Sequence, residues 1–453
     1  MLLKGNKYLV VGLGKSGIAA AKVLIELGAD VTVQDKKRSE ELDRALVQYF
    51  TNHNVTCCFG KDPEPGVKYK AVIMSPGAPL TIPFVQEAQY NGAEIISEIE
   101  LAYRLGKGTY VAITGTNGKT TTTTLTGEIF AEAGRKTKVV GNIGVVVVKE
   151  AIEATDDTWF VTEVSSFQLE PIRDFHPHIS AILNLTPDHL DRHKTMEGYT
   201  AAKARVFENQ GPDDYFVVNK DDAPTWALAE TCKATVVPFS RKEELEFGAY
   251  VKDGVIAIKD REGTVHEICG AKELHIPGAH NLENALAAAA IAFCAGIGTD
   301  VIARVLRRFA GVEHRLELVS VVDGVKYIND SKGTNPDSSI KALEAMETPV
   351  LLIAGGYDKK SSYEEFIKAF DGKVKKLLLL GVTGPAIRQT ALELGYPEDD
   401  ILMCKDMDEC VRQAAKLSCE GDTVLLSPAC ASWDMYDSYE QRGAHFKSCV
   451  RNL

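Results

Sequence analysis

Close to its start the chain reads KYLVVGLGKSGIAAAKVLIELGADVTVQD: an apolar run, a glycine turn, apolar positions at helical spacing, then a second apolar run. That alternation builds strand, turn, helix and strand, the repeating unit of a parallel sheet covered by helices. A short polar stretch, RLGKGT at 104–109, precedes a strand predicted at 110–114, and the alternation resumes with WFVTEV and AILNLT. Beyond Gly311 the runs PVLLIAGG, KKLLLLG and DTVLLSPA read as buried strands, each followed by polar and helical sequence. The pattern therefore predicts an α/β chain of three domains, over 1–107, 108–310 and 311–453. No internal repeat emerges. The alanine-rich stretch 285–298 falls short of the ~18 residues a membrane span needs, so it is expected to be a buried helix.

Composition narrows the partners. The 453 residues match about three domains at ~150 residues each. With 45% hydrophobic and 25% charged residues, the chain reads as ordinary soluble protein. A net charge of −12 repels a polyanion, which argues against a nucleic-acid partner and requires any bound phosphate to be gripped locally. The ten cysteines are scattered, with no CxxC spacing and only Cys57 and Cys58 adjacent, so neither a disulfide framework nor a zinc site is expected. A reducing, cytoplasmic compartment follows, with no membrane partner.

The local grip lies in YVAITGTNGKTTTTT. A standard phosphate loop is G-x-x-x-x-G-K-[ST]; Gly115, Gly118, Lys119 and Thr120 give a shorter G-x-x-G-K-T. The glycines let backbone N–H groups turn toward an anion, and the following helix aims its unpaired donors at the same point. Lys119 would reach the β and γ phosphates and Thr120 a Mg²⁺ ion, which makes the central domain P-loop ATPase-like. Thr121–Thr124 read as close-packing or cap residues, threonine being a poor helix former.

Two later strand ends carry polar residues where open α/β sheets hold ligands: Glu163 in VTEVSSFQLE, and Asp188, His189 and Asp191 in NLTPDHLDRH. Because Mg²⁺ prefers oxygen, chemistry alone selects Glu163 with Asp188 or Asp191 over His189. Lys203, in YTAAKARVF, is by default a surface lysine. At the N-terminus Gly12, Gly14 and Gly17 form G-x-G-x-x-G, with Asp35 ending the next strand, the dinucleotide fingerprint. Physically such a loop specifies only a diphosphate near a helix start, which NAD or a UDP-sugar would satisfy. Two functions beyond simple phosphate binding stay open on these residues: an NAD-dependent oxidoreductase and a nucleotide-binding switch.

The strings GTNGKTTTT, EVSSFQLE, ILNLTPDHLDRH, HNLENALAA, HRLE, NDSKGTNPDS and LLSPACASWDMYDSYEQRG resemble, in order and over nearly the whole chain, the Mur ligase family. These are cytoplasmic ATP-dependent enzymes that extend the peptidoglycan precursor peptide. The last string and the N-terminal glycine loop are most similar to the family's D-glutamate-adding branch. The resemblance implies Rossmann-like first and third domains. It also implies that ATP phosphorylates the carboxylate of UDP-N-acetylmuramoyl-L-alanine and that the amine of D-glutamate attacks the acyl phosphate. It favours this over folylpolyglutamate synthase, which is similar only from the phosphate loop onward.

The same resemblance implies site residues. Gly115, Thr116, Asn117, Gly118, Lys119, Thr120 and Thr121 would bind ATP, with Asn281 and Asn284 at adenine, Arg315 and Asp330 on the rest of the nucleotide, and His314 beside them. Two Mg²⁺ ions would be held by Thr120, Glu163, His189 and Lys203, the last converted to a carbamate by CO₂; Lys119, Lys203 and His189 would be catalytic. Ser16, Asp35, Lys36 or its neighbour Lys37, Ser75 and Gly77 would cradle the uridine diphosphate, with Asn142 reaching the sugar. Thr334, Lys359, Ser432 and Tyr439 would hold D-glutamate. The implied enzyme is a monomer.

Overall fold

The apolar runs become three β-sheets in a computed structural model that describes residues 3–276, 278–357 and 361–453. In the first sheet all strands are parallel, in the order Thr56–Phe59, Asp30–Asp35, Lys7–Val11, Ala71–Met74, Glu94–Ser97. Tyr8 to Val11 are all buried, as expected of a central strand covered on both faces. The chain leaves Lys7–Val11 toward one edge and returns on its other side at Ala71–Met74. A topological switch point therefore lies past the C-terminal ends of these two strands.

The second sheet has nine strands, in the order Val265–Gly270, Val255–Lys259, Gly248–Lys252, Thr235–Ser240, Tyr215–Asn219, Ile179–Ile182, Thr109–Thr114, Thr158–Glu163, Lys136–Gly141. Thr109–Thr114 pairs in parallel with Thr158–Glu163 on one side and Ile179–Ile182 on the other. The loop after Thr114 is thus flanked by the ends of both neighbours, and this register brings the candidate site together. In the third sheet Glu317–Val322 and Val325–Asn329 form an antiparallel pair, followed by Thr423–Leu426, Val350–Ala354, Val374–Leu379 and Ile401–Met403 in parallel.

The chain divides into two compact units, Met1–Cys269 with Ala285–Val305, and Gly270–Asn284 with Leu306–Leu453. The first and second sheets share one unit. Their junction is tight: a methyl at Gly106 would meet the Ala151 carbonyl oxygen at 2.6 Å, and one at Gly108, whose φ is +111°, would meet that of Thr158 at 2.6 Å. The polar stretch 104–109 is a packed seam with no room for side chains at these glycines. The division within helix Ala279–Cys294 places Asn281 and Asn284 with the second unit.

Helix Lys119–Glu132 carries no apolar stripe because it is buried nearly all round, Thr120 to Thr123 included. A methyl on Gly127 would lie 2.3 Å from Val139 Cγ2, so the helix rides close on strand Lys136–Gly141. Ala285–Ala292 are almost wholly inaccessible to solvent, as the alanine-rich run predicts. All ten cysteines are free, and among the described residues no helix is long and apolar enough to cross a membrane.

One buried acid is a liability of this core. Glu98, at the start of helix Glu98–Leu105, accepts a hydrogen bond from Val148 N through Oε1, whereas its Oε2 is buried with no partner among the described residues. Burial pushes its pKa from 4.5 up to about 7, opposed by that backbone bond. The fold therefore favours the protonated acid: the stabilising contribution is complete below about pH 4.5 and is lost as pH rises through about 7. Glu98→Gln keeps an oxygen for Val148 and cannot ionise. Relative to wild type it should gain about 3 kcal/mol of stability between pH 4.5 and 8. Urea unfolding at stepped pH measures this; a wild-type-minus-variant difference that stays flat would contradict it.

Candidate active site

Gly115 (φ +147°) and Gly118 (φ +84°) adopt backbone that favours glycine, and Gly118 caps helix Lys119–Glu132. The loop is tied to the neighbouring strand's extension: Thr116 N donates to Asn184 O at 2.9 Å, and Asn117 N to Asn184 Oδ1 at 2.8 Å. Asn184 Nδ2 returns a bond to Asn117 O at 3.1 Å. The Thr116 hydroxyl bonds Thr186 O at 3.0 Å and lies 3.2 Å from the Tyr199 hydroxyl. The shortened loop is thereby held open by side chains of the NLT segment and of helix Met196–Ala204.

Lys119 curls over its own loop, with Nζ 2.8 Å from Gly115 O and 2.7 Å from Thr116 O. Thr120 Oγ1 donates to Glu163 Oε2 at 2.7 Å, and Asn142 Nδ2 donates to Glu163 Oε1 at 2.9 Å. Glu163 is buried at its strand end, facing the start of the helix. Asn142, expected to reach a sugar, thus also orients this carboxylate. The Thr121 hydroxyl is buried with no hydrogen-bond partner among the described residues.

Lys203 departs from the default of a surface lysine. It is only 2% exposed; Nζ donates to Gly115 O at 2.8 Å and Thr114 Oγ1 at 3.4 Å and lies over the Tyr199 ring at 4.7 Å. Burial, then the nearby charge of Lys119, hold its pKa well below the usual lysine range, against the opposing pull of Asp188 and Glu163. His189 sits in left-handed backbone (φ +54°), its N donating to Asp188 Oδ1 at 2.9 Å and its Nε2 3.6 Å from Asp188 Oδ2. Asp188 and His189 are therefore a joint candidate. The side chain of Asp191 lies outside the described residues.

At the switch point of the first sheet a cavity of about 350 Å³ is lined by Ser16, Asp35, Lys36, Ser75 and Gly77, all five expected there, together with the glycine loop. A methyl at Gly17 would stand 1.9 Å from Gly12 O, so only glycine lets this helix approach the strand. Asp35 accepts from Leu13 N at 2.6 Å and Lys37 N at 2.9 Å, and the Ser75 hydroxyl donates to Gly12 O at 2.7 Å. Lys36 is exposed at the rim.

In the second unit Asn284 Nδ2 donates to Asn281 Oδ1 at 3.1 Å. Asp330 is buried, accepting from Ser427 Oγ at 2.7 Å and Leu316 N at 3.3 Å; burial raises its pKa to about 6 against the nearby Arg315 charge. Arg315 Nη1 donates to Ser338 Oγ at 3.4 Å, while its Nε is buried with no partner among the described residues. His314, φ +66°, faces Asn329 Nδ2 at 2.9 Å.

Thr334 bonds the Lys332 carbonyl through its backbone N, and Tyr439 opens helix Tyr439–Arg451, its hydroxyl accepting from Lys332 Nζ at 3.2 Å. Ser432 is buried. Lys359 lies outside the described residues.

Sequence reasoning missed Asn184, Tyr199 and Arg442. Asn184 follows strand Ile179–Ile182, whose pairing with Thr109–Thr114 puts it beside the loop; Tyr199 stands one helical turn before Lys203. Arg442 is 2% exposed. It donates to Ser331 Oγ at 3.0 Å, Ser331 O at 2.8 Å, Cys430 O at 3.1 Å and Ala431 O at 3.2 Å, binding the segment before Ser432 to that before Thr334.

A glycine loop, a lysine and buried oxygen donors at adjoining strand ends suit a phosphate anion and a hard cation. Residues 113–292 match the Mur ligase middle domain, 314–430 the Mur ligase glutamate ligase domain, and 6–97 the Mur ligase MurD-like N-terminal domain. The chain belongs to the Mur ligase family. It is 52% identical to the UDP-N-acetylmuramoylalanine-D-glutamate ligase of Thermoanaerobacter sp. (strain X514), covering 100% of both chains. It is 46% identical to that of Clostridioides difficile (strain 630), at the same coverage. Its fold is similar to that of a pseudomurein peptide ligase type C from Methanothermus fervidus, with TM-score 0.61 and 18% identity over 99% of this chain and 100% of that one.

Arg442 offers a test of the second unit's geometry. Arg442→Lys cannot fork to three carbonyl groups and a hydroxyl, so buried acceptors are left unpaired. The expected loss is about 2–4 kcal/mol in urea unfolding; a loss below about 1 kcal/mol would mean that these bonds are dispensable.

Proposed function

We propose that this chain joins the amine of D-glutamate to the carboxylate of UDP-N-acetylmuramoyl-L-alanine in the cytoplasm, with ATP split to ADP and phosphate. The observation that carries the reading is identity near 50% over the full length of ligases named for that reaction. The N-terminal cavity supports it, because the diphosphate-sized glycine loop lies in the region matched to the MurD-like domain. Within this reading, 1–107 holds the UDP substrate, 108–310 ATP, and 311–453 the amino acid.

The chemistry asked of the residues is electrostatic. Each pair of unit like charges ~4 Å apart repels by ~4 kcal/mol at an effective dielectric near 20, and a carboxylate nearing a triphosphate meets several such charges. Lys119 would leave its two loop carbonyls for the outer phosphates, and the loop N–H groups would cradle them. Thr120 and Glu163 are hard oxygen donors that suit Mg²⁺, with Asp188 and His189 to complete its shell. When bound, Mg²⁺ neutralises phosphate charge.

Asn142 aims Glu163, and Asn184 keeps the loop in shape. Asn281 and Asn284 would take adenine, while the unpartnered Arg315 Nε beside Asp330 would take the ribose or phosphate. Thr334, Ser432 and Tyr439, with Lys359, would hold D-glutamate.

Lys203 enters as a carbamate. An uncharged buried amine is the form that attacks CO₂: nitrogen bonds carbon, a proton leaves, and the former cation becomes an anion beside Glu163. Burial and the neighbouring ammonium of Lys119 favour that uncharged form.

Supplying UDP-N-acetylmuramoyl-L-alanine, ATP and D-glutamate should release phosphate above a control lacking amino acid, with L-alanine, L-lysine and diaminopimelate inactive. No release, or a thermal shift with NAD and none with the UDP substrate, would overturn the reading. Lys119→Ala should cut release by about 10²-fold or more while UDP-substrate binding holds, as read by calorimetry. Lys203→Ala should be inactive and partly restored by small carboxylates; wild-type activity in that variant would remove the carbamate.

A further inference from the structure

Among the described residues, two groups of side chains outside the phosphate loop place potential metal-ligand atoms within 4.8 Å of one another: Glu313, His314 and Glu317, and Asp408, His445 and Cys449. The first group already has its cation. Lys447 Nζ lies 2.5 Å from Glu313 and 2.8 Å from Glu317, so a divalent ion would have to displace an ammonium. The second has no such occupant. Arg412, the nearest arginine on its helix, directs its Nε to the main-chain carbonyl of Asp408 and not to the carboxylate.

We propose that Asp408, His445 and Cys449 bind a zinc-type divalent ion that clips helix Met407–Leu417 to the C-terminal helix Tyr439–Arg451. His445 and Cys449 stand four residues apart, on one face of the C-terminal helix, and Asp408 comes from the first turn of the other helix. His445 Nε2 is 3.1 Å from Asp408 Oδ2, and Cys449 Sγ lies within 4.8 Å of ligand atoms on both. The other imidazole nitrogen, Nδ1, is 2.9 Å from the Tyr436 hydroxyl. That contact fixes the ring and leaves Nε2 as the ligating atom, the arrangement that outer-shell partners impose on metal-bound histidines.

One oxygen, one nitrogen and one sulfur suit Zn²⁺ and disfavour Mg²⁺. The side chains of Asp408 and His445 are 57% and 38% exposed, which gives an ion a path in and leaves a fourth position for water. Cys449 is buried, and burial with the Asp408 charge pushes its thiol up to about 11. The ion itself must therefore expel that proton on binding. The ligands lie 37 and 4 residues apart (408, 445, 449), a spacing with no zinc-finger signature, so only the fold brings them together. Arg442 sits three residues before His445 on the same helix, so the clip would brace the part of the second unit that carries Ser432 and Tyr439. The inference is independent of the catalytic reading.

The test uses the full chain, stripped with chelator and titrated with Co²⁺ in excess Mg²⁺, which keeps the phosphate-loop region occupied. A near-ultraviolet thiolate-to-cobalt band should saturate at one equivalent and disappear when Zn²⁺ is added. Cys449→Ser should abolish it, and His445→Ala and Asp408→Asn should weaken binding about ten-fold or more. Both of the latter positions are solvent-accessible, so they decide the matter if Cys449→Ser fails to fold. No band in wild type overturns the proposal. So does a band that survives Cys449→Ser, since the ion would then sit on another thiol.

Discussion

The carbonyl oxygen of Gly115 receives two lysines, Lys119 and Lys203, each at 2.8 Å. Two ammonium groups converging on one oxygen in a buried setting repel each other, and the more buried one yields its proton first. That constraint organises the site. It leaves Lys119 the less buried of the two and favours the uncharged form at Lys203, against the opposing pull of Glu163 and Asp188. The glycines, the Asn184 clamp and the strand register on both sides of Thr109–Thr114 serve to hold that convergence in place.

Much of this could be read from the chain. Alternating apolar runs and glycine turns mark the parallel sheets, and G-x-x-G-K-T marks the loop even though it is shorter than the usual pattern. Residues at strand ends, such as Glu163 and Asp188, follow from the rule that open sheets hold ligands there. What could not be read depends on long-range contact. Lys203 looks like a surface lysine because nothing local signals that its helix packs against the Gly115 turn. Arg442 likewise sits in a polar helix start, and only the folded chain shows its guanidinium enclosed by three carbonyl groups and a hydroxyl. Asn184 belongs to neither the strand nor the loop pattern, and its role exists only because its strand pairs beside the loop.

The glycine loop of the first sheet shows how one fingerprint can serve different ligands. In a dinucleotide site the acid at the end of the second strand is expected to greet a ribose. Here Asp35 commits one oxygen to Leu13 N and the other to Lys37 N, so its main work is to shape the loop from within. The cavity beside it is lined by Ser16, Lys36, Ser75 and Gly77, among others.

Gly106 and Gly108 have a consequence for engineering chimeras between relatives. Since neither position has space for even one carbon, the first sheet cannot be transplanted by cutting at the polar stretch and splicing in any convenient tether. A workable graft has to carry the whole seam, from Glu98 through Thr109, together with the backbone at Ala151 and Thr158 that it rests on.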